Sequence, residues 1–250
     1  MNIMSQACGG QQFIISIERL RIGYAIASIS MVLIIAWLAM LNFILVWLYV
    51  ACHPKTLIIL ILALAIGLAS ALYQAPGFMR LAIVSRRYIH GGVGIVLLII
   101  TWALATTSMA TYYVALLFPL PGLYTIPVPN PTLGRISTIT GYLSFLILLP
   151  AVVLVAVTLR RLGSDLKRPM VKAGVTLMLV GASAALFFEA MEILAPILAR
   201  FITGIGSSMP IRVELPFRLI EALSMVITAS PPTLGLVSSI LFTLGLKPNC

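Results

Sequence analysis

Residues 88–134 read YIHGGVGIVLLIITWALATTSMATYYVALLFPLPGLYTIPVPNPTLG, and between Arg87 and Arg135 there is no Asp, Glu, Lys or Arg. The first part, about residues 91–118, is apolar throughout. A helix needs about 20 such residues to cross a hydrocarbon core of roughly 30 Å. The second part carries prolines at 119, 121, 127, 129 and 131. Proline lacks the backbone donor a helix interior requires, so this part reads as an extended loop. Span and joint, side by side, are the repeating unit of the whole chain.

The same charge-free signature recurs over residues 22–54, 56–79, 136–159, 173–188 and 222–246. Six windows of this kind predict an all-α, polytopic integral membrane protein with about six transmembrane helices. Composition agrees. Hydrophobic residues make up 61% of the 250, charged residues 9%, and the mean hydropathy is +1.15, against about 45–50% apolar and 25% charged in soluble domains. Only six acidic residues are present, so no room remains for a nucleotide-binding, kinase or receptor domain. The net charge of +10 is assigned to loops facing anionic headgroups and not to nucleic acid, because the basic residues border apolar spans instead of forming one stripe. Cys8, Cys52 and Cys250 have no metal-binding spacing.

Residues 1–22 are expected to form a tail and a short interfacial helix, with Phe13, Ile14, Ile17 and Leu20 at helical spacing around Glu18, Arg19 and Arg21. Residues 23–246 form a single membrane domain and 247–250 a short cytoplasmic tail. After the second span, Pro76-Gly77 reads as a helix stop. The basic segment 78–90 (FMRLAIVSRRYIH) is then a second amphipathic surface helix, in preference to a continuation of the second span to about Val84. Arg80, Arg86 and Arg87 are its candidates for contact with lipid or a cytoplasmic partner. Residues 160–172 (RRLGSDLKRPMVK) are the strongest topological marker. With the N-terminus inside, the joints on that side hold Arg19, Arg21, Arg80, Arg86, Arg87, Arg160, Arg161, Lys167, Arg168, Lys172 and Lys247. The opposite joints hold Lys55, Arg135, Arg200, Arg212 and Arg218. Eleven against five places both termini in the cytoplasm and makes the number of spans even.

Candidates for chemistry are few. Glu189 and Glu192 fall three residues apart near the outward end of the fifth span, on one helical face. Ionisable groups at that depth face a partner, a cavity or a pathway. Glu214, Arg218 and Glu221 form a polar stripe on the final segment, and Arg218 is the expected partner of Glu189 in a buried ion pair. Pro231-Pro232 are helix-break candidates, dividing that segment into two half-helices or one kinked helix. Asp165 is the only aspartate, and His53 and His90 are the only histidines, in joints on opposite sides. Carboxylate-cluster, metalloprotease and serine-hydrolase chemistries are therefore unsupported. No catalytic residue, metal site or cofactor is indicated.

The layout is an interfacial N-terminal helix, six spans, a basic surface helix after the second and a broken element before the end. It resembles the membrane half of some ABC-2-type export permeases, although the proline-rich outer loop departs from them. The expected function is a non-catalytic, permease-like transport subunit of the cell membrane, surrounded by membrane lipids and working with a cytoplasmic partner, such as an ATPase. The alternative is a hydrophobic anchor or quinone-proximal subunit of a respiratory complex. A reporter fused after Lys172 is expected to face the cytoplasm and one inserted near Pro129 the exterior. Labelling of both sites from the same side would contradict six spans.

Overall fold

The computed structural model describes the backbone of residues 3–47, 54–117, 130–205 and 217–247, and the side chains of 11–39, 58–115, 130–187, 190 and 229–247. All of the regular structure there is helical. The long helices are α1 (Ile3–Trp47), α2 (Pro54–Val84), α3 (Ile89–Leu117), α4 (Pro131–Asp165), α5 (Pro169–Ile205) and α6 (Phe217–Gly245), with a 3-10 turn at Arg86–Tyr88 between α2 and α3. A hydrocarbon environment offers the backbone no water, so a single segment satisfies its N–H and C=O groups only by coiling into a helix. Five stretches are long and apolar enough to cross a membrane, namely Gln11–Ala39, Ile58–Val84, Arg86–Ala115, Pro131–Asp165 and Pro169–Phe187. The described part of α6, Ala229–Gly245, is a shorter apolar helix.

Among the described residues each long helix packs on its chain neighbours, and α6 returns to α1, closing a ring. Every adjacent pair is antiparallel. Ser30 meets Ala63 while Ser70 meets Gly23; Gly94 lies against Val155 while Ser108 meets Ser137. Gly174 lies under Phe242 and Gly181 under Leu234. Across the closure Tyr24 stacks on Phe242 with ring centroids 4.6 Å apart, and Met31 touches Gly235. The beginning of α1 and the end of α6 therefore share one end of the ring. Among the described residues that end holds most of the buried side chains, including the fully buried Leu20, Phe78, Leu81, Leu159, Leu162, Val171 and Phe242.

Serine hydroxyls staple three of the helix pairs. Ser30 Oγ donates to the carbonyl of Ala63 at 2.6 Å and Ser70 Oγ to that of Gly23 at 2.8 Å. Ser108 and Ser137 each donate to the other's carbonyl at 2.8 Å. Ser238 Oγ donates to Gly174 at 2.9 Å. Small residues let the backbones approach, and each such bond within a membrane contributes about 0.6 kcal/mol.

Two sequence expectations are corrected here. The N-terminal amphipathic segment is not a separate interfacial helix; α1 is unbroken from Ile3 to Trp47. Ser16, Ile17, Leu20 and Tyr24 are buried on one continuous face, so the segment is held by the bundle. The basic segment after Pro76-Gly77 is not a surface helix either, because α2 continues to Val84 with Pro76 inside it. Pro76 removes one helical hydrogen bond. Packing overrides that stop signal: Phe78 and Leu81 are fully buried, and a methyl at Gly77 would lie 3.1 Å from the Ser16 carbonyl. α6 runs on through Pro231 and Pro232, so of the two forms read from sequence the segment takes the single-helix one. Gly181 of α5 admits the Pro231 carbonyl closely, and Thr233 Oγ1 caps the Ala229 carbonyl at 2.7 Å.

Gly94 is the tightest seam between backbones. A Cβ there would lie 2.8 Å from the Val155 amide nitrogen, which belongs to a helix and cannot step aside. Gly134 has nothing within 4 Å of such an atom. Gly94→Ala should cost about 1–3 kcal/mol by overpacking, read as a fall of several degrees in melting temperature in detergent, while Gly134→Ala should cost nothing. Equal melting of the two variants would contradict the α3–α4 packing.

Candidate interfacial basic site

The core-rich end of the ring is also its charged end. Arg19 and Arg21 flank Leu20, which packs against Gly77 of α2. Arg80 sits a turn beyond. Arg86 and Arg87 form the 3-10 turn, and Arg160 and Arg161 lie in the last turns of α4. Lys167, Arg168 and Lys172 surround the α4–α5 joint, and Lys247 follows α6. These eleven cations are opposed by two carboxylates, Glu18 and Asp165.

Local rules build this surface. Ser85 is extended, with φ −149° and ψ 128°, and its hydroxyl accepts the Arg87 amide, so α2 stops there and the chain turns into α3. α4 ends where Lys167 takes φ 54°, a left-handed conformation that closes a helix C-terminus. The Arg168 amide then donates to the Gly163 carbonyl at 2.8 Å and the Leu166 amide to that of Leu162 at 2.9 Å. Pro169 starts α5 at once, its missing donor being harmless in a first turn.

Two clefts open between these elements. One, of about 510 Å³, is lined by Gln11, Gln12, Ile15, Arg80 and Ile83, between the start of α1 and the end of α2. The other, also of about 510 Å³, is lined by Arg87, Arg160, Arg161, Ser164 and Asp165. Its walls are braced. Arg161 Nη1 donates to the Arg87 carbonyl at 2.7 Å, crossing from α4 to the 3-10 turn. Tyr88, itself buried, donates its hydroxyl to Asp165 Oδ2 at 2.5 Å. The carboxylate is thus oriented by a phenol, and Arg87, Arg160 and Arg161 are exposed residues.

Of the residues proposed from sequence, the structure brings Arg87 into the second cleft, sets Arg80 half-buried in the first, and leaves Arg86 exposed. Arg160 and Arg161, read from sequence only as topological markers, turn out to complete a site with Arg87. Their partner is 74 residues away in sequence, and no local pattern encodes that contact. Glu189, Glu192, Arg218 and Glu221 lie on α5 and α6, outside the residues whose side chains are described. Among the described residues, no three His, Cys, Asp or Glu side chains group closely enough to hold a metal ion. Among the described residues, three buried polar atoms have no partner, namely Trp37 Nε1, Gln74 Oε1 and Thr158 Oγ1. Gln74 belongs to a polar seam, donating to Ser70 Oγ at 3.0 Å.

No family model matches the chain, nor does any curated protein or solved structure.

The Tyr88–Asp165 bond joins the α2–α3 turn to the end of α4, so it should be worth more than a surface contact. Hydrogen bonds to charged groups contribute about 1.5–3 kcal/mol when buried; with Asp165 exposed, about 1 kcal/mol is expected. Tyr88→Phe and Asp165→Asn should each lower stability, and the double variant should lose little more than the larger single loss. Additive losses in a melting experiment would refute the bond.

Proposed function

We propose that this chain is a non-catalytic, permease-like transport subunit of the cell membrane, crossing it six times with both termini cytoplasmic and docking a cytoplasmic partner on its basic end. The observation that carries the reading is the gathering of eleven of the sixteen basic residues around one end of the ring. Cations concentrate on the cytoplasmic side of membrane proteins. The antiparallel closure of α6 on α1 favours an even number of crossings. A surface with such a charge excess suits an acidic partner surface, and an ATPase that drives transport is the partner class proposed. Glu189 and Glu192 on α5, with Arg218 and Glu221 on the neighbouring α6, remain the proposed pathway residues, Glu189 and Arg218 as an ion pair near the outer end.

The resemblance to ABC-2-type permeases supplies less support than the layout read from sequence. The separate N-terminal helix and the surface helix are absent as distinct elements, and the final element is one continuous helix through its two prolines. The charge distribution stands independently of them.

The protein purified from its native membranes under mild detergent should carry an ATPase activity. Arg86→Gln with Arg87→Gln should reduce that co-purification several-fold without changing the melting temperature, each lost cationic contact being worth about 1 kcal/mol. Purification with haem absorbance or bound quinone, and no ATPase, would replace this reading with that of a respiratory anchor subunit.

A further inference from the structure

The cleft formed by Arg87, Arg160 and Arg161 has more structure than an excess of positive charge requires. Its arginines converge from two elements, the 3-10 turn and the end of α4, around about 510 Å³ of open space. Arg161 is tied to the Arg87 carbonyl, which fixes the spacing of the two elements. Asp165, the carboxylate on the cleft wall, is hydrogen-bonded to Tyr88. A guanidinium presents several donors in a rigid fork that fits phosphate oxygens.

The surface leading away from the cleft is apolar. On α4, Val153 lies two turns from Arg160 on the same face, and Leu149 and Leu146 continue that ridge, the latter 72% exposed. On α3, Ile89, Val93 and Val96 form a parallel exposed ridge at helical spacing. A cationic pocket at the membrane–water boundary thus opens onto two apolar ridges that run into the hydrocarbon. Basic pockets between transmembrane helices bind anionic lipid headgroups.

We infer that the Arg87–Arg160–Arg161 cleft binds the phosphate of an anionic phospholipid in the adjoining leaflet, with the acyl chains lying along the exposed ridges of α3 and α4. Ser164 lines the same cleft, its hydroxyl donating to the Arg160 carbonyl at 3.1 Å, so the donors offered to a phosphate are the guanidinium groups. The inference deepens the basic-end reading but needs only that this end meets a leaflet. Its failure is therefore read separately from that of the transport assignment, which rests on co-purified ATPase.

The test is native mass spectrometry of the detergent-purified protein titrated with dioleoyl phosphatidylglycerol, dioleoyl phosphatidylcholine or inorganic phosphate. The expected result is saturable retention of phosphatidylglycerol, little phosphatidylcholine, and no competition by millimolar phosphate. Arg160→Gln with Arg161→Gln should weaken retention by about fivefold per arginine, roughly thirtyfold together. Lys172→Gln with Lys247→Gln removes the same charge from the same end but outside the cleft, and should leave retention nearly unchanged. Arg160→Lys with Arg161→Lys keeps the charge and should restore part of the affinity, which guards against a loss caused by unfolding. Equal losses in the two Gln pairs, or equal retention of the two lipids, would overturn the proposal. Displacement by phosphate would overturn it in favour of a soluble-anion site.

Discussion

Helices in this chain can associate because their backbones come close enough for serine hydroxyls to reach carbonyls on the neighbouring helix. In lipid the hydrophobic effect does not draw helices together, so van der Waals contact and interhelical hydrogen bonds must do so. Ser30, Ser70, Ser108, Ser137 and Ser238 make those bonds across the α1–α2, α3–α4 and α5–α6 pairs. Gly77, Gly94 and Gly181 provide the close approach. The serines are stationed on pairs adjacent in sequence, and the ring is then completed by apolar packing such as Tyr24 on Phe242.

The basic end of the ring has a physical origin in its joints. There the joints are short: Ser85 and a single 3-10 turn between α2 and α3, and three residues between α4 and α5. Short joints force the flanking helices together, which gathers the cations that border the spans. The charge there cannot be relieved by neighbouring acids, since only Glu18 and Asp165 are present.

The spans could be read from composition because charge exclusion from hydrocarbon is a strong and local constraint. The charge-free stretch after Arg87 announces the long apolar helix α3 without reference to any other part of the chain; of the proline-rich segment read as a loop, residues 118–129 lie outside the described residues, and its end from Pro131 is already the first turn of α4. Element ends depended instead on distant packing. Pro76-Gly77 looks like a stop, but Phe78 and Leu81 have a core to enter and Ser16 approaches Gly77. Pro231-Pro232 looks like a break, but α5 packs against it at Gly181. The interfacial reading of residues 11–22 followed from Glu18, Arg19 and Arg21, while the buried face of Ser16, Ile17 and Leu20 is set by α2. The arginine cleft was hidden for the same reason. Its residues were visible as charges, but their convergence is a tertiary fact.

The closed ring rests on α6 returning to α1, and that contact can be trapped directly. Met31 touches Gly235 across the closure, whereas α1 makes no contact with α4 among the described residues. In a chain with Cys8, Cys52 and Cys250 replaced by Ser, Met31→Cys with Gly235→Cys should form an intramolecular crosslink under mild oxidation. Met31→Cys with Ser144→Cys should not. A closed ring predicts the first crosslink alone; failure of that pair, or linking of the second, would contradict it.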